Sequence, residues 1–200
     1  KTLHQPTRLR WIEAHGLSFG RELAYHLLKS LLRSAFEIDK GDPSEKILKT
    51  IKAKANDLLG GNSEEIITYL AHLLDVQLSD EKEAYIHQLK ASELQEKYLD
   101  ALKSFFKAMA LEQPLVIVLE DLHWADKSSV GILQGLLHIS TTSPILICLV
   151  TRPNRDSDGW SLVNTAREQI GPRLTEIDLK NLTDKESENL VNELIDLQEI

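Results

Sequence analysis

Glu120 and Asp121 are adjacent carboxylates at the end of an uninterrupted apolar run, Leu115-Val116-Ile117-Val118-Leu119. Five consecutive apolar residues do not describe a half-exposed strand, in which alternation would place polar side chains on one face. The run predicts a central strand covered on both faces. In an open α/β sheet, ligands gather outside the carboxyl ends of the strands, so the two acids are delivered to the edge where such folds do chemistry. Neighbouring carboxylates repel each other and resist desolvation, which is tolerable in a wet crevice that holds a cation. Magnesium carried by a nucleotide phosphate suits this pair, because it keeps most of its waters and asks the protein for only one or two carboxylates.

A second apolar run, Ile145-Leu146-Ile147-Cys148-Leu149-Val150, predicts another buried strand, and it leads into Thr151-Arg152-Pro153. Strand, helix and strand in that order imply a right-handed parallel crossover, which brings Arg152 to the same sheet edge as Glu120 and Asp121. A guanidinium there can take two phosphate oxygens in its planar fork and stays charged at any working pH. The plainer reading is a surface arginine in a turn, beside Pro153, Asn154 and Arg155.

The elements that must position these residues follow from pattern. A strand is expected over 8–14 and a helix over 21–36, with Leu23, Ala24, Leu27, Leu28, Leu31 and Leu32 as its buried stripe. Tyr25 and His26 in that helix read as a packed aromatic and a partly exposed imidazole rather than as ligands. Residues 37–113 read as a charged helical insert. Asp42-Pro43-Ser44-Glu45, Asn62-Ser63-Glu64-Glu65 and Ser92-Glu93-Leu94-Gln95 open its helices, and Gly60-Gly61 closes the first. Leu94, Tyr98, Leu102, Phe105, Phe106 and Met109 line one face of the last of these helices, as a core stripe facing the sheet. Asp126 reads as the N-cap of a helix over 127–139, with Ser129 in its first turn. Trp124 is either a packing wedge beneath the site or an exposed stacking residue. A helix over 161–170, a mixed strand over 173–179 and the capping box Thr183-Asp184-Lys185-Glu186 complete the pattern, the last opening a helix that carries Leu190, Leu194 and Leu197.

The run VIVLEDLHWADKSS resembles the Walker B segment of the STAND branch of AAA+/P-loop NTPases, the Orc1-like ATPase type attached to bacterial adenylate and guanylate cyclases, LuxR-type transcription regulators and kinases. The tetrapeptide His-Trp-Ala-Asp is the specific part of that likeness. RLRWIEAHGLSFG resembles the second core strand of the module, and Tyr69-Leu70-Ala71-His72-Leu73-Leu74 its helical insert. The resemblance implies an α/β fold, with a P-loop NTPase-like parallel sheet flanked by helices. Residues 1–179 would form a partial nucleotide-binding core, with 180–200 starting a helical lid. It implies ATP and Mg as cofactors, with Glu120 holding the metal, Asp121 beside it as a metal ligand and catalytic acid–base group, and Arg152 at the sensor 1 position over the γ-phosphate. It further implies a switch that couples Mg·ATP to an attached output domain, be it a cyclase, a DNA-binding domain or a kinase, and it allows for oligomerisation.

The sequence departs from that pattern in two ways. It contains no Gly-x-x-x-x-Gly-Lys-Ser/Thr, the loop whose backbone amides and lysine cradle the phosphates, so the loop is expected upstream of Lys1 and the fold is expected to be N-terminally truncated. Residue 120 is Glu where the wider superfamily prefers Asp. The alternative function is a nucleotide-independent interaction module, a degenerate ATPase in which the insert meets protein partners.

Bulk properties agree with a single soluble globular unit. The 200 residues are 42% hydrophobic and 27% charged, and the formal charge of -8 from 31 acidic and 23 basic residues argues against a nucleic-acid surface in this segment. Cys148, the sole cysteine, precludes an internal disulfide and is expected as a buried thiol in a reducing, cytoplasmic setting. No apolar stretch approaches the ~18 residues needed to span a bilayer, so no membrane partner is expected.

Overall fold

The computed structural model describes residues 9–18, 20 and 22–196. Its sheet has three parallel strands in the order β1 (Arg10–His15), β2 (Leu115–Glu120), β3 (Ile145–Leu149). β2 lies in the middle, with Ile12 opposite Ile117 and Ile117 opposite Ile147. Ile12, Ala14, Leu115, Ile117, Leu119 and Ile145 belong to the apolar core, together with Leu27, Leu28, Leu31 and Leu32 of α1 (His26–Phe36). Parallel strands with intervening helices bear out the α/β, P-loop NTPase-like class.

Helix α1 starts five residues later than its apolar pattern suggests. Leu23 is 51% exposed, and short turns precede the helix instead, in which Leu23 donates to the Gly20 carbonyl at 3.0 Å and His26 to the Leu23 carbonyl at 3.2 Å. Ala24, also expected in the stripe, is exposed before the helix begins, whereas Leu27, Leu28, Leu31 and Leu32 are fully buried. The expected strand over 8–14 forms as β1; Arg8 and Arg21 lie outside the described residues.

The insert comprises α2 (Ser44–Leu59), α3 (Glu64–Leu73), α4 (Asp80–Gln88) and α5 (Ala91–Glu112). Pro43 is the N-cap of α2 rather than its first helical residue, and Gly60 ends the helix at φ 63. Ser63 precedes α3 but gives its hydroxyl proton to Asn56 instead of capping. α5 begins one residue before Ser92, and Glu93 accepts the Lys90 N–H at 2.7 Å. The α5 stripe from Tyr98 to Met109 is core as expected, with Phe105 stacked on Phe36 at 4.5 Å and Leu94 partly buried, but it packs chiefly on the helices α3, α2 and α6 (Lys127–Leu136) rather than on the sheet. Burying each such Phe or Leu is worth about 1.5–3 kcal/mol. α4 carries no apolar stripe to betray it; Ile86 is its one buried residue.

Three expectations are corrected. β3 is not buried on both faces: in the register Trp11–Val116–Leu146, Trp11 is 61% and Leu146 63% exposed. Val116 and Val118 are shielded in the middle strand but stand outside the apolar core. Cys148 faces the same way as Leu146 and is exposed, because side chains alternate along a strand whatever their polarity. No strand forms over 173–179; a 3-10 turn (Gly171–Arg173) is followed by unpaired chain in which Ile177 is 80% and Leu179 86% exposed. A strand without a ladder partner has no hydrogen-bonded reason to be one.

α6 (Lys127–Leu136) and the short α7 (Ile139–Thr142) link β2 to β3 in place of one helix over 127–139. α8 (Asp158–Ile170) starts three residues ahead of the expected 161. The capping box before α9 (Asp184–Asp196) forms, with Thr183 N–H donating to Glu186 at 2.8 Å and Glu186 N–H to the Thr183 hydroxyl at 3.3 Å. Leu190 on α9 is exposed, and Leu197 lies outside the described residues. Among the described residues no helix is long and apolar enough to cross a membrane.

Candidate nucleotide-metal site at the end of the central strand

β2 ends on Glu120, half-buried and in register with His15 of β1. Asp121 then adopts the left-handed conformation, φ 52 and ψ 38, which a short acidic side chain tolerates better than most residues. Its carbonyl accepts the Trp124 N–H at 2.8 Å and closes a 3-10 turn over Leu122–Trp124. The chain reverses, and the Asp121 side chain is left 53% exposed at the sheet edge.

Two glycines clamp this turn. A Cβ on Gly16 would lie 2.4 Å from the Asp121 carbonyl oxygen and 3.2 Å from Trp124 Cβ. A Cβ on Gly159 would lie 1.9 Å from the Leu122 carbonyl oxygen. The loop after β1 and the first turn of α8 therefore press on the acidic turn from two directions, and only glycine permits either approach. Backbone bonds add to the hold. Gly16 N–H donates to the Glu120 carbonyl at 2.9 Å, and Leu122 N–H to the Val150 carbonyl at 3.0 Å.

Asp126 is 2% exposed, and its carboxylate accepts three backbone N–H groups. One is Ser129 of α6 at 2.8 Å, the expected N-cap. The other two are Tyr25 at 2.9 Å and Leu27 at 3.2 Å, at the start of α1. The Ser129 hydroxyl accepts Leu28 N–H at 3.2 Å. One Asp–Ser pair thus caps two helices whose starts meet behind the acidic turn, where helix N-termini favour negative charge. Tyr25 sits at φ 62, a costly conformation for an aromatic residue that these bonds hold in place.

His123 and Trp124 occupy the turn with their rings 4.9 Å apart; His123 is buried, with Nδ1 3.9 Å from Asp121 Oδ1. Trp124 is half-buried, between the two roles left open for it. Arg152 is exposed, just past the end of β3, the strand beside β2. Among the described residues its guanidinium makes no hydrogen bond or ion pair, with the acidic pair or otherwise. The sheet therefore brings all three expected residues to one edge without joining them. A surface hollow lies elsewhere, lined by Arg155, Trp160, Asn164 and Arg167, and there Arg167 is held by Glu176 at 2.7 Å and stacks over Trp160 at 5.2 Å.

Pattern reasoning missed Gly16, Gly159 and the second cap made by Asp126. Gly16 and Gly159 each press on a carbonyl far away in sequence, and no local pattern signals such a contact.

The donor set fits magnesium brought by a phosphate. Among the described residues no group of three or more His, Cys, Asp or Glu could hold a metal alone, whereas two hard carboxylates at an open edge match an ion that keeps its waters. A family model described as AAA ATPase domain matches residues 2–150. No curated protein and no solved structure gave a significant match. With three-quarters of its length matched and the sheet that such domains require, the chain belongs to the AAA ATPase domain family.

Proposed function

We propose that this AAA ATPase domain is a switch of the STAND type, in which Mg·ATP binding is coupled to an output domain of a larger signalling protein. The reading is carried by the acidic turn: two carboxylates at the end of the central strand, one of them displayed by a left-handed backbone clamped between two glycines. His-Trp-Ala-Asp directly after it supports the STAND assignment. In this reading Glu120 holds magnesium, largely through water, and Asp121 orients or deprotonates the attacking water. The metal neutralises phosphate charge when bound. Arg152 reads the γ-phosphate from the neighbouring strand.

Residues 1–200 contain no phosphate-cradling loop, so they bind Mg·ATP weakly and turn over essentially none of it. Calorimetric titration of the chain tests the division of roles. Arg152→Ala weakens Mg·ATP by about tenfold and Mg·ADP far less, since only ATP has the phosphate Arg152 reads. Equal losses for both nucleotides contradict that role. Mg²⁺-dependent turnover by the chain, abolished by Asp121→Asn, contradicts its inactivity.

A second reading, a nucleotide-independent interaction module, draws on the exposed apolar side chains Trp11 and Leu146 on one sheet face. It predicts that Glu120→Ala leaves partner binding intact while a charge at Leu146 removes it.

A further inference from the structure

We propose that His72 and Tyr98 form a pH-sensitive latch that fastens the helical insert to the start of α1. His72 Nδ1 on α3 lies 2.5 Å from the Tyr98 hydroxyl on α5, with the two rings stacked at 6.0 Å. The rings of Tyr98 and Tyr25 meet in a T-shaped contact at 5.3 Å and 79°. Tyr25 is the residue whose N–H is held by Asp126, so three contacts lead from the imidazole to the double cap behind the acidic turn. A parallel tie runs alongside, from Lys29 of α1 to Asp75 after α3 at 2.6 Å.

Charged groups on α4, on α1 and just after α3 act on the charge of His72. Glu83 of α4 approaches Nε2 at 4.0 Å while its other oxygen accepts Leu78 N–H at 3.1 Å. Glu83 and Asp75 favour the imidazolium, whereas His87 of α4 and Lys29 of α1 oppose it. Burial outweighs them all and holds His72 below its ordinary value of 6.5. Burial also pushes the Tyr98 hydroxyl well above the usual phenol range, with Tyr25, Asp75, Glu83 and Tyr69 adding to the shift, so that oxygen keeps its proton throughout.

With His72 neutral, Tyr98 donates to Nδ1, and the Nε2 proton faces Glu83. A proton taken from solvent at Nδ1 reverses the first bond: Nδ1–H now donates to the phenol oxygen. The Tyr98 proton must then turn to another acceptor, and among the described residues no hydrogen bond offers one. Tyr98 is 3% exposed, so an orphaned donor there is expensive. A histidine held below its ordinary value contributes stability that is full above 6.5 and is lost as pH falls through the lowered value. Acid therefore opens the latch.

The inference stands apart from what binds at Glu120 and Asp121. It is tested by hydrogen exchange of the whole chain at about pH 7.5 and about pH 5.5, corrected for the intrinsic pH dependence of exchange. In the unmodified chain the amides of Tyr25, Leu27 and Leu28 lose protection by about fivefold or more on acidification. His72→Gln removes that pH dependence, and Tyr98→Phe lowers protection at the higher pH and leaves it flat. A wild-type response that persists in His72→Gln, or no response at these amides, overturns the proposal. Should the variants fail to fold, the unmodified chain still decides. ¹⁵N NMR of His72 is expected to show a titration below 6.5 and a neutral form protonated at Nε2; a titration at or above 6.5 overturns the latch.

Discussion

Asp126 and Tyr25 are 101 residues apart, yet the Asp126 carboxylate accepts the Tyr25 backbone N–H at 2.9 Å while also capping its own helix. The His-Trp-Ala-Asp tetrapeptide thus ends in a structural acid. It pins α1, and through α1 the first strand, to the helix that follows the acidic turn.

Removing that carboxylate uncaps two helices at once. Asp126→Ala is expected to cost about 2–4 kcal/mol, combining lost caps with buried N–H groups left unpaired. Asp126→Asn keeps one acceptor oxygen and costs less. Urea denaturation measures both, and a loss under about 0.5 kcal/mol for Asp126→Ala would mean that the cap contributes little.

Three glycines separate steric need from helix propensity. Gly159→Ala and Gly16→Ala force a Cβ into the Leu122 and Asp121 carbonyls and should destabilise by about 2 kcal/mol or more. Gly131→Ala, inside α6 with open space around its Cβ position, should stabilise by about 0.5–1 kcal/mol. Thermal melts of the three variants rank them, and a tolerated Gly159→Ala would contradict the clamp on the acidic turn.

Cys148 should react as an accessible thiol. Stoichiometric labelling by a disulfide reagent in the native chain, at a rate within about tenfold of the unfolded chain, is the expected outcome. Protection that disappears only on unfolding would show that something covers this face of β3.

Stability should fall on acidification in a way that His72 controls. Because burial keeps the folded-state imidazole below 6.5, the unfolded chain takes up the proton first as pH drops, and unfolding is favoured. The melting temperature of His72→Gln should therefore fall less between neutral pH and pH about 5 than that of the unmodified chain. Parallel curves would assign the acid sensitivity to other groups.

What the residues reveal without coordinates follows the range of the forces involved. The two apolar runs and the acids at Glu120 and Asp121 are local patterns, and β2, its central place and the parallel crossover were readable from them. The N-cap role of Asp126 towards Ser129 was readable for the same reason. Its bonds to Tyr25 and Leu27 were not, because nothing near Asp126 in sequence signals a helix start elsewhere in the chain. The start of α1 was misplaced because Leu23 continues the apolar spacing while the Gly20 turn breaks the helix. β3 was misjudged because an apolar run reports a residue's preference, not whether a second layer lies over it; Leu146 and Cys148 show the difference.

The nucleotide reading rests on Glu120 and Asp121 holding the metal of a bound nucleotide. Paramagnetic Mn²⁺·ATP, added to the ¹⁵N-labelled chain, reports where the metal sits even when binding is weak. Broadening is expected at the amides of Gly16, Asp121, Leu122 and Thr151, around the end of β2, and it should vanish in Glu120→Gln/Asp121→Asn while the remaining spectrum is unchanged. Broadening that survives in the double variant, or that gathers only at the acidic first turns of α4 and α9, would contradict a metal site at the end of the central strand.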